Sequence, residues 1–280
     1  MSVRQFTFNH SLWEHDIFNN ATTGYWIGEM AAASNTSYAW NGQFGQLDST
    51  PLPAIPQLGS SNSDNVWIPE SLTFDQLSLN NVVIMPPNWI QIFQGLDGSF
   101  SGPAPVAIQE LTNAQRVIDY VVTHQPSLPV YIYEHWPEAS RFSYPPSNSD
   151  FSQYNQATSN EYHQWFVNYQ NQLRASRPTV DIRMIPVGPI IAEIMENNAF
   201  QTAGLNYESL YVDNDPHGTP NLYFLAGLIT YQALFGQAVD INYIPPAQIA
   251  PEIINDFAAL NTFVWNRLNH YNANGTRIWP

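Results

Sequence analysis

Residues with the chemistry of acyl transfer are spread across the 280 residues of the chain, most of them beside predicted strand ends. Ser11 directly follows Val3 to Phe8, an alternating apolar stretch that reads as a strand. A serine hydroxyl is a weak nucleophile and needs a base within hydrogen-bond reach. His217 is the candidate base, in the run Asp213-Asn214-Asp215-Pro216-His217-Gly218. Asp213 or Asp215 could stand behind the imidazole, fixing its tautomer and stabilising the imidazolium. An oxyanion needs preorganised donors, and the Ser11 N–H, the Gly42 N–H and the Asn88 side-chain amide are candidates. Each residue also has a plainer reading. Ser11 could be solvated, the aspartates and His217 could cap or turn, and Gly42 and Asn88 could serve strand-end turns.

Positioning these groups together requires one rim shared by distant elements. Strands are predicted at Val3–Phe8, Ser37–Trp40, Asn81–Met85, Pro129–Tyr133 and Val180–Pro186. Helices are predicted at Tyr25–Ala33, Thr112–His124 (with Thr112 or Asn113 as N-cap), Glu161–Ala175, Ile190–Asn197, Asn221–Phe235 and Pro251–Arg267. Strand–helix alternation from end to end implies an α/β fold of three layers, α/β/α, with a central parallel sheet. In such sheets ligands bind at the carboxyl ends of the strands. Ser11, Gly42, Asn88 and Glu134-His135-Trp136 each follow a predicted strand. The chain reads as one domain, 1–280, with long loop insertions near 48–66 and 139–158 that would frame the cleft as substrate contacts or lids.

Asn9-His10-Ser11-Leu12 resembles the Gly-Asp-Ser-Leu motif of SGNH (GDSL-like) serine hydrolases, with Asn and His in place of Gly and Asp. The order Ser, Gly, Asn, His along the chain is also similar to that family. The resemblance implies a flavodoxin-like SGNH hydrolase fold and a carboxylic ester hydrolase working through an acyl-enzyme. It implies Ser11 as nucleophile, Gly42 and Asn88 as oxyanion donors, and His217 as base. Two positions depart from the family pattern. Asn214 stands where an Asp three residues before the histidine is usual, which leaves Asp213, Asp215 or a Ser–His dyad. Pro86-Pro87-Asn88-Trp89 replaces Gly-x-Asn-Asp.

Glu134, His135, Trp136 and Trp89 are candidate substrate contacts, although a buried Trp136 is an equally ordinary outcome. Phe142, Tyr144 and Tyr154 could stack on sugar rings or pack their loop. A metal site from His10, Glu14, His15 and Asp16 lacks any paired ligand spacing, so no metal is expected. No cofactor is implied, and the glycine fingerprint of dinucleotide-binding proteins is missing.

Composition narrows the partners. The net charge is −15 and all eight basic residues are arginine, so no basic patch for nucleic acid or anionic membrane can be assembled. No apolar run approaches the roughly 18 residues of a membrane span. The chain has no cysteine, which removes thiolate nucleophiles and disulfides. Charged residues make up only 11%, a weakly charged polar surface that suits a neutral polymer or saline surroundings. The expected substrate is therefore an ester on a small molecule or polysaccharide, such as an acetylated carbohydrate. The alternatives are a lipid or aryl esterase or acyltransferase on the same fold, and a catalytically inactive carbohydrate-binding protein. Met1-Ser2-Val3-Arg4 runs straight into the apolar stretch without a signal-peptide pattern, and the expectation is a secreted or periplasmic mature chain ahead of a cytoplasmic one. Oligomeric state is left open.

Overall fold

The computed structural model describes residues 2–15, 22–57, 65–67, 72–87 and 106–280. Five strands, β1 (Ser2–Asn9), β2 (Ser37–Phe44), β3 (Asn81–Ile84), β4 (Val130–Glu134) and β5 (Ile182–Pro186), form one sheet in the order β2-β1-β3-β4-β5. Every pairing is parallel. Parallel strands covered on both faces are apolar throughout, and β3 and β4 are buried at every position. The chain departs in opposite directions after β1 and after β3. The crevice between them at the carboxyl ends is thus the topological switch point, and Ser11 sits at its mouth.

Helices cover both faces. Helices α1 (Thr23–Ala33), α5 (Val187–Glu196), α7 (Pro220–Phe235) and α8 (Pro251–Ala273) share one core with Trp13, Trp40, Tyr133 and Trp136. Helices α2 (Ile108–His124) and α4 (His163–Ser176) share the other with Phe6, Phe8, Val82 and Ile132. Helix α7 is apolar around its whole circumference and is buried at nearly every position, as expected of a helix enclosed by neighbours. Proline opens it and Gly236, in the left-handed conformation, closes it. Among the described residues no helix is long and apolar enough to cross a membrane.

Three predicted elements differ. The segment 139–158, read as loop, contains helix α3 (Asn148–Ala157), which runs through a π-helical turn at Thr158–Tyr162 into α4. Its sequence is too polar to show an apolar stripe, but Ser147 and Asp150 form a capping box. Helix α2 begins at Ile108, so neither Thr112 nor Asn113 caps it; the Thr112 hydroxyl bonds back to the Ile108 carbonyl within the helix. Strand β2 continues through Asn41, Gly42 and Gln43 because side chains satisfy these polar positions. Asn41 accepts from the Trp67 N–H, and Gln43 bonds both the Pro51 carbonyl and the Ile55 N–H. Residues 51–57 thereby run along the outer edge of β2 and cover it.

A short helix, α6 (Tyr207–Leu210), precedes the histidine-bearing loop.

Candidate active site

The turn after β1 is built to project one side chain. The Trp13 N–H bonds the His10 carbonyl at 2.9 Å, closing a tight turn over residues 10–13. Leu12 and Trp13 are fully buried, Trp13 packing edge-on against Trp40 and Tyr133. His10 is buried below the turn, leaving Ser11 part-exposed at its apex.

The second loop, 211–218, is closed by an antiparallel bridge between Tyr211 and Gly218 and by the Val212 N–H bonding the His217 carbonyl at 2.9 Å. Inside it the Asp213 carboxylate does three things. One oxygen accepts from the His217 N–H at 2.9 Å and from the Asp215 N–H at 3.0 Å. The other meets His217 Nδ1 at 2.6 Å. Across the crevice, His217 Nε2 lies 3.0 Å from Ser11 Oγ. Burial raises the Asp213 carboxyl, but hydrogen bonds from the His217 ring and from backbone N–H groups outweigh it and hold the group below the ordinary carboxylate range. An ionised Asp213 holds the proton on Nδ1, so the Nε2 lone pair faces the serine hydroxyl.

Of the two acids flanking Asn214, Asp213 therefore reaches the imidazole, and Asp215 is exposed and offers its N–H to Asp213. Asn214 instead fastens the loop, its side chain donating to the Phe142 carbonyl and its carbonyl accepting from the Ala139 N–H. Asp213, Asp215 and His217 bring three ligand-type atoms within 4.8 Å of one another. Two of those groups already bond each other as donor and acceptor. Of the other metal candidates, His10 is bonded to backbone, and Asp16 lies outside the described residues.

Gly42 is not where an oxyanion donor would be. It lies within β2, paired with Thr7, and its carbonyl accepts from the Gln57 N–H at the outer edge of the sheet. A residue's N–H and C=O point to the same side of a strand, so its N–H also faces away from β1 and Ser11. A side chain there would run into the Thr7 hydroxyl and the Asn9 amide. The Ser11 N–H makes no hydrogen bond to any described residue. Asn88 and Trp89 lie outside the described residues.

Glu134, His135 and Trp136 are buried, since β4 is a central strand covered on both faces. Glu134 holds His163 Nδ1 at 3.0 Å from both carboxylate oxygens. Burial raises the Glu134 carboxyl, and the Glu134 charge raises His163. Trp136 donates its indole N–H to the Pro216 carbonyl at 2.9 Å, bracing the loop beside His217. Phe142 and Tyr154 are buried in the core; Tyr144 stays half-exposed, with Glu208 and Asp213 close enough to raise its phenol further.

Two sets of contacts carry no local sequence signal. His135 Nε2 and His10 Nε2 both bond the Pro86 carbonyl, at 2.7 Å and 3.0 Å, tying together the exits of β1, β3 and β4. The Tyr162 hydroxyl completes the site by meeting His135 Nδ1 at 2.9 Å. Burial, with the neighbouring His135, drives His10 down to about 3, and burial drives His135 down to about 4, so both are neutral near pH 7. Second, the His15 ring stacks on His217 with centroids 3.9 Å apart.

No family model matches the sequence, and no curated protein does. Solved structures are similar in fold. A DUF4886 family protein from Bacteroides uniformis is 11% identical, with 96% of each chain covered and a TM-score of 0.54. A Slackia heliotrinireducens protein provisionally assigned as an SGNH hydrolase is 12% identical, over 83% of this chain and 98% of that one, with a TM-score of 0.46. A family 3 carbohydrate esterase of Clostridium thermocellum is 11% identical, over 83% and 94%, with a TM-score of 0.44. At 11% identity and a TM-score of 0.54, what the Bacteroides uniformis structure shares with this chain is the fold.

Proposed function

We propose that the protein is a serine-dependent ester hydrolase. The observation that carries the reading is the continuous chain Asp213–His217–Ser11, with 2.6 Å between Asp213 and His217 and 3.0 Å between His217 and Ser11, which lies 206 positions away in the sequence. His217 Nε2 takes the hydroxyl proton as Ser11 Oγ attacks the ester carbonyl carbon. The Ser11 N–H donates to the oxyanion; Asn88 is the proposed second donor. His217 then returns the proton to the departing alkoxide, leaving an acyl-Ser11. Water attacks that ester, His217 again taking and returning the proton, and the acid leaves. Asp213 holds the ring's orientation and offsets the imidazolium charge. A binding-only role would suit a Ser–His separation beyond hydrogen-bond reach, and 3.0 Å argues for catalysis.

The substrate class we favour is an acylated carbohydrate. A sequence rich in Asn and Gln but poor in charge supports it, as does the half-exposed Tyr144 ring beside the Asp213 loop. The test is hydrolysis of p-nitrophenyl acetate and of an acetylated polysaccharide by the wild type, Ser11→Ala and His217→Ala, with folding followed by circular dichroism. Activity lost in both variants while the fold persists is the expected result. Activity that survives Ser11→Ala would overturn the mechanism.

A further inference from the structure

The nucleophile turn and the histidine loop belong to opposite ends of the chain, and a 3.0 Å hydrogen bond between two part-exposed side chains is a weak tie on which to rest their alignment. A buried group joins the two backbones directly. Tyr223, in the first turn of α7, is fully buried. Its hydroxyl donates to the Ser11 carbonyl at 2.9 Å and accepts, at a longer 3.4 Å, from the Gly218 N–H. One phenol oxygen thus holds the peptide that follows the nucleophile and the peptide that follows the base. We propose that Tyr223 is a positioning residue that sets the Ser11–His217 separation for catalysis, a role that rests on the hydrolase reading above.

Three further features fit this role. Gly218 has no side chain where a Cβ would come within 2.9 Å of Leu222 and 3.0 Å of the Tyr223 ring, so the loop can sit directly on the start of α7. Trp136 bonds the carbonyl of Pro216, so the backbone is held on both sides of His217, by the indole before it and by the phenol after it. Helix α7 is enclosed by α1, α5 and α8, which makes its first turn a rigid mount rather than a surface element. Burial and the nearby negative charges of Asp213 and Glu14 also hold the phenol protonated. It therefore remains a donor to Ser11 throughout the working pH range of a His base.

The experiment reads the reactivity of Ser11 without requiring the natural substrate. A fluorophosphonate ester is attacked by Ser11 Oγ at phosphorus; fluoride leaves, and the hydroxyl proton passes to His217. Labelling rates are compared for the wild type, Ser11→Ala, Tyr223→Phe and Tyr231→Phe. Tyr231 is an equally buried tyrosine on the same helix whose hydroxyl accepts from Gln237, away from both loops, so its loss controls for removing a buried phenol oxygen. The expected result is labelling slowed by about tenfold or more in Tyr223→Phe, since misplacement of about 1 Å can cost on the order of 100-fold. Tyr231→Phe should label at the wild-type rate, with a similar fall in Tm. On p-nitrophenyl acetate the Tyr223→Phe loss should lie in kcat, with KM little changed. Gly218→Ala, which pushes on the same ring from the loop side, should slow labelling in the same direction and covers the case of a poorly folded Tyr223→Phe. Equal slowing in Tyr223→Phe and Tyr231→Phe, or wild-type labelling in Tyr223→Phe, would overturn the role of Tyr223 while leaving the hydrolase intact. Absence of labelling in the wild type, or labelling that survives Ser11→Ala, would instead overturn the hydrolase reading and this inference with it.

Discussion

Acid should unfold this protein through two histidines that do no chemistry. His10 and His135 are buried and neutral, each giving its Nε2–H to the Pro86 carbonyl, with folded values of about 3 and about 4 against 6.5 in the unfolded chain. Both folded values are depressed, so between pH 6.5 and about 4 the unfolded chain binds two protons that the folded one refuses. Stability from these groups is complete above the unfolded value and falls as pH drops, each histidine contributing a slope that approaches about 1.4 kcal/mol per pH unit. From pH 7 to pH 5 the loss integrates to about 2 kcal/mol per histidine, or about 4 kcal/mol for the pair. That is a large part of the roughly 5–15 kcal/mol available to a folded domain. His163 works in the opposite sense. Its folded value is raised, so its contribution is present at pH 5 and is lost as pH rises through that value. The clean measurement is therefore a difference between proteins. Urea unfolding followed by tryptophan fluorescence at pH 7 and pH 5 would be compared for the wild type, His10→Asn and His135→Gln. Each variant starts less stable at pH 7 but should lose about 2 kcal/mol less than the wild type on acidification. The same pH dependence in all three proteins would refute the reasoning.

Further expectations follow from single contacts. Asp213→Asn should lower kcat by on the order of 10³–10⁴-fold with the fold intact, because the amide would favour the wrong imidazole tautomer. Asp215→Asn, which leaves the N–H bonded to Asp213 in place, should change kcat by less than about threefold, a result within mutational scatter for an exposed side chain. Equal losses in steady-state kinetics would mean that the acid has been misassigned. Trp136→Phe removes the donor to Pro216 and should cost about 1–3 kcal/mol in urea unfolding through the unsatisfied carbonyl, with a fall in kcat that Asp215→Asn does not show. Gly42→Ala should destabilise by about 1–3 kcal/mol through its clash with Thr7, read as a lower Tm. If that variant instead kept its Tm while losing activity, an oxyanion role for Gly42 would return.

The parts of the fold legible in the sequence are those where burial alone dictates residue type. The strands around Val82 and Ile132 are largely apolar runs of strand length, and α7 is an apolar run too long for a strand. Elements held by side-chain hydrogen bonds were hidden. Strand β2 looks finished at Asn41 because its polar residues are satisfied by Trp67, Pro51 and Ile55, which are distant in sequence. That is why Gly42 reads as a post-strand glycine. Helix α3 buries Phe151 and Tyr154 from a mostly polar sequence. At the site, Ser11 and His217 stand out by following and preceding strong elements. The choice between Asp213 and Asp215 depends on how the loop closes on itself, which no spacing reveals. The residues after β4 invited a pocket-lining reading because strand ends in parallel sheets face ligands. Only the packing shows that α4 and the 211–218 loop cover them. Tyr223 has no motif at all, since its partners are backbone atoms.

The 206-residue interval between Ser11 and His217 also bears on how the protein is made. A ribosome finishes the first strand and the nucleophile turn long before the histidine loop exists. The serine then stays an ordinary unactivated alcohol until α7 packs and brings the base across the crevice. On the proposed hydrolase reading, activation of Ser11 therefore arrives with completion of the tertiary structure. An incomplete or proteolytically clipped chain that keeps its N-terminal half should carry the nucleophile but no reactivity, which makes covalent labelling of Ser11 a direct gauge of intact molecules in a preparation.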